Sequence, residues 1–255
     1  MDRCHSLSLG ETALTRPWCP APRSARAPRG PAPAEALRGI GGLGCPVMYL
    51  PSHFRAGGAG ERAFLEGIAA ADLVTVTGDG LLATFLPLLY DPAAGQAGAL
   101  LGHVARANPQ WRTPALGEAL VIVHGPDAYV SPSFYPSKAE HGEVVPTWDY
   151  LAAHVYGHLV VHDDSAWVES LVRRLTEHHE SPRARPWSVD DAPPAYIARQ
   201  VRAIVGLELV ITRVETKAKW SQNRPAADIA GVAAGLEADG HFAAAEAVRN
   251  AAPAS

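Results

Sequence analysis

Apolar and polar positions alternate with a period of two over much of residues 72–163, and helical spacing dominates the blocks on either side. Alternation marks a half-buried strand, whereas apolar residues three and four apart mark one face of a helix. Gly60 to Ala71 carries Phe64, Leu65 and Ile68 at helical spacing and predicts a short amphipathic helix. The run DLVTVTGDGLLATFLPLLYD then gives two β-rich segments joined by Gly78, Asp79 and Gly80, the composition of a tight hairpin turn. GALLGHVARANPQW predicts a third strand ending near Arg106, EALVIVHGPDAYVS a fourth, and WDYLAAHVYGHLVVHD a long fifth.

After that fifth strand, DDSAWVESLVRRLTEHHE predicts a helix capped by Asp164 or Ser165, with Trp167, Leu171 and Leu175 as its apolar stripe. DDAPPAYIARQVRAIVG predicts a second helix that opens on prolines and ends near Gly206. LELVITRVETKAKW returns to alternation, and the Ala-rich residues 224–251 predict two short helices split around Gly240. Strands that follow one another without a strand–helix–strand rhythm favour a small antiparallel barrel decorated by helices, an α+β fold that is mainly β.

HGPDAYVSPSFYPSK (124–138) interrupts this pattern. Its prolines at 126, 132 and 136 disfavour helix and remove backbone donors, so it is expected to be a stiff, irregular loop carrying three aromatic rings and Lys138. The first 47 residues also differ from the rest. They hold all three cysteines, seven of the 22 prolines, and six arginines against three acids, with no apolar periodicity. Such a segment cannot bury enough surface to offset its ordering entropy. The expected organisation is a disordered extension (1–47), a main domain (48–235) and a helical tail (236–255).

Composition narrows the function classes. Removing six of 22 basic and three of 26 acidic residues leaves the part from Met48 at net −7, a poor generic binder of polyanions. It has no cysteine, so disulfides and thiolate metal sites are excluded there. No apolar run reaches the length of a membrane span, and the expectation is a soluble, cytoplasmic protein. His154, His158 and His162 recur every four residues, but on a strand neighbours lie roughly 13 Å apart and cannot share one metal ion.

The groups able to do chemistry concentrate at strand ends. They are Thr84; His103, Arg106, Asn108 and Trp111; Ser131, Ser133, Tyr135 and Lys138; Thr147, Trp148 and Tyr150; and Lys219, Ser221, Gln222, Asn223 and Arg224. Arg and Lys beside hydroxyls and amides suit a phosphate, and Trp and Tyr can wall a flat ring. No Walker or dinucleotide-type glycine loop and no Gly-x-Ser-x-Gly turn is present.

MYLPSHF, GHVARANPQWR, HGPDAYVSPSFYPSK, VPTWDY and SQNRP, in that order from Met48 to about Gly235, resemble the successive motifs of the PaiB-type FMN-binding negative transcriptional regulators. At 218 and 220 this chain has Ala and Trp where the family more often has Trp and an aliphatic residue. The resemblance implies an antiparallel split β-barrel, a homodimer, and FMN bound by strand-end residues near the dimer seam. It points to Arg106 for the phosphate and to Tyr135 and Lys138 for the seam. It also implies a repressor that contacts DNA, for which Arg173 with Arg174, or Arg199 with Arg202, are the candidate basic pairs. The runner-up is a flavin-dependent oxidoreductase of the pyridoxamine-oxidase or flavin-reductase type, and a third reading is a haem protein of similar fold.

Overall fold

The structure, a computed structural model, describes residues 48–252, so the expectation for 1–47 falls outside it. Strand β1 (Arg55–Ala56) and helix α1 (Ala59–Glu66) precede the hairpin of β2 (Ala70–Thr77) and β3 (Gly80–Asp91). Strands β4 (Ala99–Ala105) and β5 (Ala119–Val130), the single turn α2 (Lys138–His141) and β6 (Thr147–His162) follow. Helices α3 (Ser165–Glu180) and α4 (Pro194–Arg202), strand β7 (Ile204–Lys219), and helices α5 (Ala226–Ala238) and α6 (Phe242–Ala251) complete the chain. Helix α5 runs across residue 235, where the sequence suggested a boundary.

All strand pairs are antiparallel. Their order is β1-β7-β4-β3-β2-β5-β6, and β6 also pairs with β7, so six strands close on themselves and β1 adds to one edge. A closed sheet leaves few free edges to template aggregation. The sixteen residues of β7 make closure possible. Its first half, Ile204 to Val210, lies between β4 and β6, while further along β1 takes the place of β4 at Thr216 and Lys217. Leu73, Leu100, Val121, Val155, Leu207 and Leu209 fill the interior. The alternation read from the sequence is the alternation of inward and outward side chains.

Local chemistry sets the joints. In the β2–β3 turn the Thr77 hydroxyl donates to the Gly80 carbonyl at 2.8 Å and accepts the Asp79 N–H. Asp164 caps α3 by accepting the Trp167 N–H at 2.8 Å. Two expectations need correction. Residues 124–130 were expected both as the end of the fourth strand and as the start of the loop, and the strand expectation holds: the β5–β6 register shifts between His124 and Asp127, and this bulge accommodates Pro126 where the ladder is already broken. The helix before β7 ends at Arg202, and Gly206 is a strand residue. Glycine serves there for space, since a Cβ would fall 2.2 Å from the Trp167 ring.

One face of the barrel is covered by α3, whose Leu171 and Leu175 pack on Ala99 and Leu101. The C-terminal helices pack on Ala128 and Val130 of β5, with Tyr135 and Trp220 in the same cluster. A buried polar knot ties that cluster to the sheet. Asp149, fully buried, accepts the Ser221 hydroxyl at 2.8 Å and the Lys219 ammonium at 3.2 Å. Ser221 adopts φ +57°, a left-handed conformation uncommon outside glycine, and this directs its hydroxyl into the knot. Burial pushes the Asp149 carboxyl above the ordinary carboxylate range, against the pull of Ser221 and Lys219.

Two predictions follow from this architecture. A Cβ at Gly157, beside the β6–β7 bulge, would lie 2.3 Å from the Val210 carbonyl oxygen, so Gly157→Ala is expected to lose about 1–3 kcal/mol in urea unfolding. Gly117→Ala, with open space around it, should change stability by less than about 0.5 kcal/mol. For Asp149 the folded state binds the proton more tightly than the unfolded chain. Its contribution is therefore complete below the ordinary Asp value of about 3.9 and is lost as pH rises through the raised native value. Unfolding measured across that window should fall less steeply with pH in Asp149→Asn than in the wild type, and equal slopes would contradict the burial argument.

Candidate functional site

The residues singled out from the sequence fall in separate places. The first lies where β4 ends. Arg106 is committed there: Nη1 and Nη2 donate to the Asp163 carboxylate at 3.0 and 2.5 Å, and Nε donates to the Arg202 carbonyl at 2.8 Å. Nη2 also reaches the Ile204 carbonyl at 3.3 Å. The hydrogen bond from Arg106 holds the Asp163 carboxyl below the usual range. This guanidinium staples the end of β6 to the start of β7, two segments adjacent in space and distant in sequence.

The rest of the GHVARANPQW motif is equally engaged. Asn108 caps a 3-10 turn (Pro109–Trp111) by accepting the Gln110 N–H at 2.8 Å, and its amide donates to the Thr84 hydroxyl at 3.0 Å. Trp111 packs against the barrel core and donates its indole N–H to the Arg106 carbonyl. Gln110, which the sequence reading passed over, is buried and donates Nε2 to the Leu73 carbonyl, the Thr75 hydroxyl and the Leu82 carbonyl. His103 lies opposite Gly206 on β4, its Nδ1 buried without a hydrogen-bond partner among the described residues, and burial lowers its pKa. A neutral imidazole follows.

The second place is the junction with the C-terminal helices. Ser131 accepts the Ser133 N–H and pairs with its hydroxyl at 2.8 Å, which caps the turn before Tyr135. Tyr135 is buried, with the Arg224 guanidinium 5.1 Å from its ring centroid. Lys138 is exposed at the start of α2, and Asn223 is also exposed. The Lys219 ammonium is surrounded by the Thr147 hydroxyl (2.8 Å), the Trp148 carbonyl (2.6 Å) and Asp149. Trp148 donates its indole N–H to Asp127, and Gln222 donates to the His53 and Ala218 carbonyls. These groups mostly satisfy one another. Arg106 and Lys219 sit at opposite ends of β7, about 50 Å apart along the strand contour at about 3.3 Å per residue.

The third place was missed. On the outward face of β7 stand Arg213, Glu215 and Lys217, opposite Tyr156, His154 and Ala152 of β6. Arg213 lies 3.7 Å over the Tyr156 ring. Glu215, nearly buried, accepts the Met48 N–H at 2.7 Å and the Arg213 guanidinium. Lys217 is only 9% exposed, its ammonium 5.3 Å from the Tyr49 ring centroid and 5.4 Å from that of Tyr150. Among the described residues it has neither an ion-pair nor a hydrogen-bond partner. A cavity of about 510 Å³, lined by Met48, Tyr49, Leu50, Arg55 and Glu215, opens beside it. The signal was present in the sequence: 213, 215, 217 and 219 alternate as charged positions on one face of a strand. Tyrosine faces can take a flat ring there, and Lys217 and Arg55 can take an anion.

The outer face continues from β6 into apolar ground. Tyr156 pairs with Leu120, Leu120 with Val74, Val74 with Ala83, and Val76 with Leu81. Leu81 and Phe85 are 71% and 70% exposed, and no described helix covers them.

The family described as "Putative FMN-binding domain" matches residues 48–213. "Protease synthase and sporulation protein PAI 2" of Bacillus subtilis is 33% identical over 187 residues, covering 72% of this chain and 87% of that protein. An uncharacterized protein of Emericella nidulans is 35% identical over 167 residues, covering 55% of this chain and 66% of its own length. Among solved structures, a conserved hypothetical protein of Mycobacterium tuberculosis aligns with a TM-score of 0.48 at 11% identity, over 70% of this chain and 94% of its own. An FAD and haem binding protein of Mycobacterium smegmatis aligns with a TM-score of 0.42 at 17% identity, over 62% and 70%. Matched through its barrel by the family model and along most of its length by the Bacillus protein, this chain belongs to the PaiB-type FMN-binding domain family.

Proposed function

We propose that this protein is a homodimeric FMN-binding regulator that represses transcription, with FMN on the outward β6–β7 face at the rim of the dimer contact. The observation that carries the reading is the outer sheet face, where an apolar field on β3, β2 and β5, interrupted by Asp72 between Phe85 and Ile122, leads to the tyrosines and cations of β6 and β7. Two exposed large side chains beside half-buried Val74, Leu120 and Ile122 make the kind of contiguous patch that marks an interface. A second copy of this chain is its occupant in this reading. The donor set fits FMN: phenol rings offer faces to a flat ring system, and a cation without an anion awaits the phosphate. FMN when bound supplies redox and light-absorbing chemistry of its own, while the chain's part is to bind and orient it.

The repressor reading draws support from the Bacillus relative, whose name connects it with protease synthesis and sporulation. Of the two basic pairs considered for DNA, Arg173 is spent on Glu169 and Asp190, and Arg174 on Asp91. Arg199 and Arg202, in the last turn of α4, make no ion pair among the described residues, and Arg199 stacks 5.1 Å from the Tyr196 ring. They are the better candidates for phosphate-backbone contact.

The test of the site and dimer is one substitution read in two ways. Phe85→Asp should shift sedimentation from dimer to monomer and weaken FMN binding about tenfold or more, because the rim of the contact is lost. A monomeric variant with unchanged FMN affinity would separate site from seam; a wild type that sediments as a monomer would end the dimer reading. For DNA, a mobility shift at two salt concentrations should weaken with salt in the wild type and be abolished in Arg199→Glu/Arg202→Glu, while no shift at low salt would overturn the repressor reading.

A further inference from the structure

Lys217 is the least satisfied charge on the described surface of the sheet. The Lys217 side chain is largely buried, and its ammonium has two tyrosine rings beside it where an anion would stabilise it further. The carboxylates around it are taken. Glu215, two residues away on the same face, is held by the Met48 N–H and Arg213. Asp149 is held by Lys219 and Ser221. Glu61 accepts the Thr216 hydroxyl at 3.1 Å, and Thr216 belongs to the opposite face of the strand. The nearest addition of charge is another cation: Arg55 of β1 pairs directly with Lys217 across the ladder and is exposed, also without an ion-pair partner among the described residues. Two cations side by side with no anion repel each other, and this is a cost that a bound dianion reverses.

We propose that Lys217 and Arg55 form an anchor for the phosphate of a phosphorylated aromatic ligand, with Tyr49 and Tyr150 flanking it and the adjoining cavity of about 510 Å³ as its point of entry. In the FMN reading, on which this proposal rests for the identity of the ligand, the pair makes the site select FMN over riboflavin, which has the same ring and lacks the phosphate. It also moves the phosphate away from Arg106, whose guanidinium already holds Asp163 in a bidentate pair. The neighbouring ammonium of Lys219 is excluded for the same reason, being enclosed by three oxygens. Lys217 thus differs from both basic residues that the sequence motifs emphasise: its side chain is largely buried, and its charge has no ion-pair partner among the described residues. Segment 48–50 completes the anchor, since Tyr49 supplies one ring and the Met48 N–H occupies the one carboxylate that would otherwise compete for Lys217.

The experiment uses the full chain stripped of flavin and titrated with FMN and with riboflavin. The wild type should bind FMN about tenfold or more tighter than riboflavin. Lys217→Met should lose that preference through weaker FMN binding, with riboflavin affinity within about twofold of wild type, and Arg106→Ala should keep the preference. A second measurement needs no flavin. Inorganic phosphate should raise the thermal midpoint of the wild type and leave that of Lys217→Met unmoved, and without phosphate the variant should melt higher because the repulsion between Lys217 and Arg55 has gone. If Lys217→Met keeps the wild-type preference for FMN, the anchor is overturned while the FMN reading stands. If the wild type binds neither flavin, the FMN reading fails, and the phosphate-dependent midpoint alone decides the anchor: a shift in the wild type that Lys217→Met abolishes supports it, and equal responses overturn it. Lys217→Gln, which retains a polar head without charge, should behave as Lys217→Met does; a return of FMN preference in Gln would also overturn the role of charge.

Discussion

Everything in this fold depends on β7 keeping one neighbour while exchanging the other. From Gly206 to Lys219 it pairs with β6, but its other edge belongs first to β4 and then to β1. Where β4 is the partner, the sheet closes and buries Leu207 and Leu209 in the barrel. Beyond the bulge at Tyr156 and Gly157, β4 has gone, and the outward face is reached by the chain around Met48 to Arg55. One strand therefore supplies the core with its first half and the candidate ligand face with its second.

This division explains why charged residues with similar sequence settings do different work. Arg106 stands at the closing end, where the backbone carbonyls of 202 and 204 and the Asp163 carboxylate converge, and it serves as a staple. Lys219 stands where β7 leaves the sheet and is drawn into the Asp149 knot that holds the C-terminal helices. Lys217 lies between, on the open stretch, and has no ion-pair partner among the described residues. A polar group's neighbours, not its chemical type, decide whether it is structural or available to a ligand.

Much of the fold was legible because inward and outward residues of a two-layer sheet leave a period-two record. The hairpin at Gly78 to Gly80 and the β character of the histidine-bearing β6 are visible this way, and the two C-terminal helices show through their Ala-rich composition. What stayed hidden needed knowledge of distant partners. Gly206 is small to admit Trp167 rather than to end a helix, and the bulge that lets β5 accept Pro126 lies in its pairing with β6. The partners of the motif residues Arg106, Asn108 and Trp111, namely Asp163, Thr84 and the Arg106 carbonyl, are not inferable from local spacing. Trp220, the departure from the family pattern, is buried in the C-terminal cluster beside Ala218. Lys217 drew no reading from the sequence, since the Tyr49 and Tyr150 rings beside its ammonium come from segments distant in the chain.

Hydrogen–deuterium exchange of the full chain with and without FMN tests the location of the site most directly. The account predicts that FMN slows exchange in residues 48–56 and in β7 from Arg213 to Lys219, the backbone that surrounds the β6–β7 outer face. Protection confined to residues 103–111, with 48–56 unchanged, would contradict it and return the flavin to the end of β4.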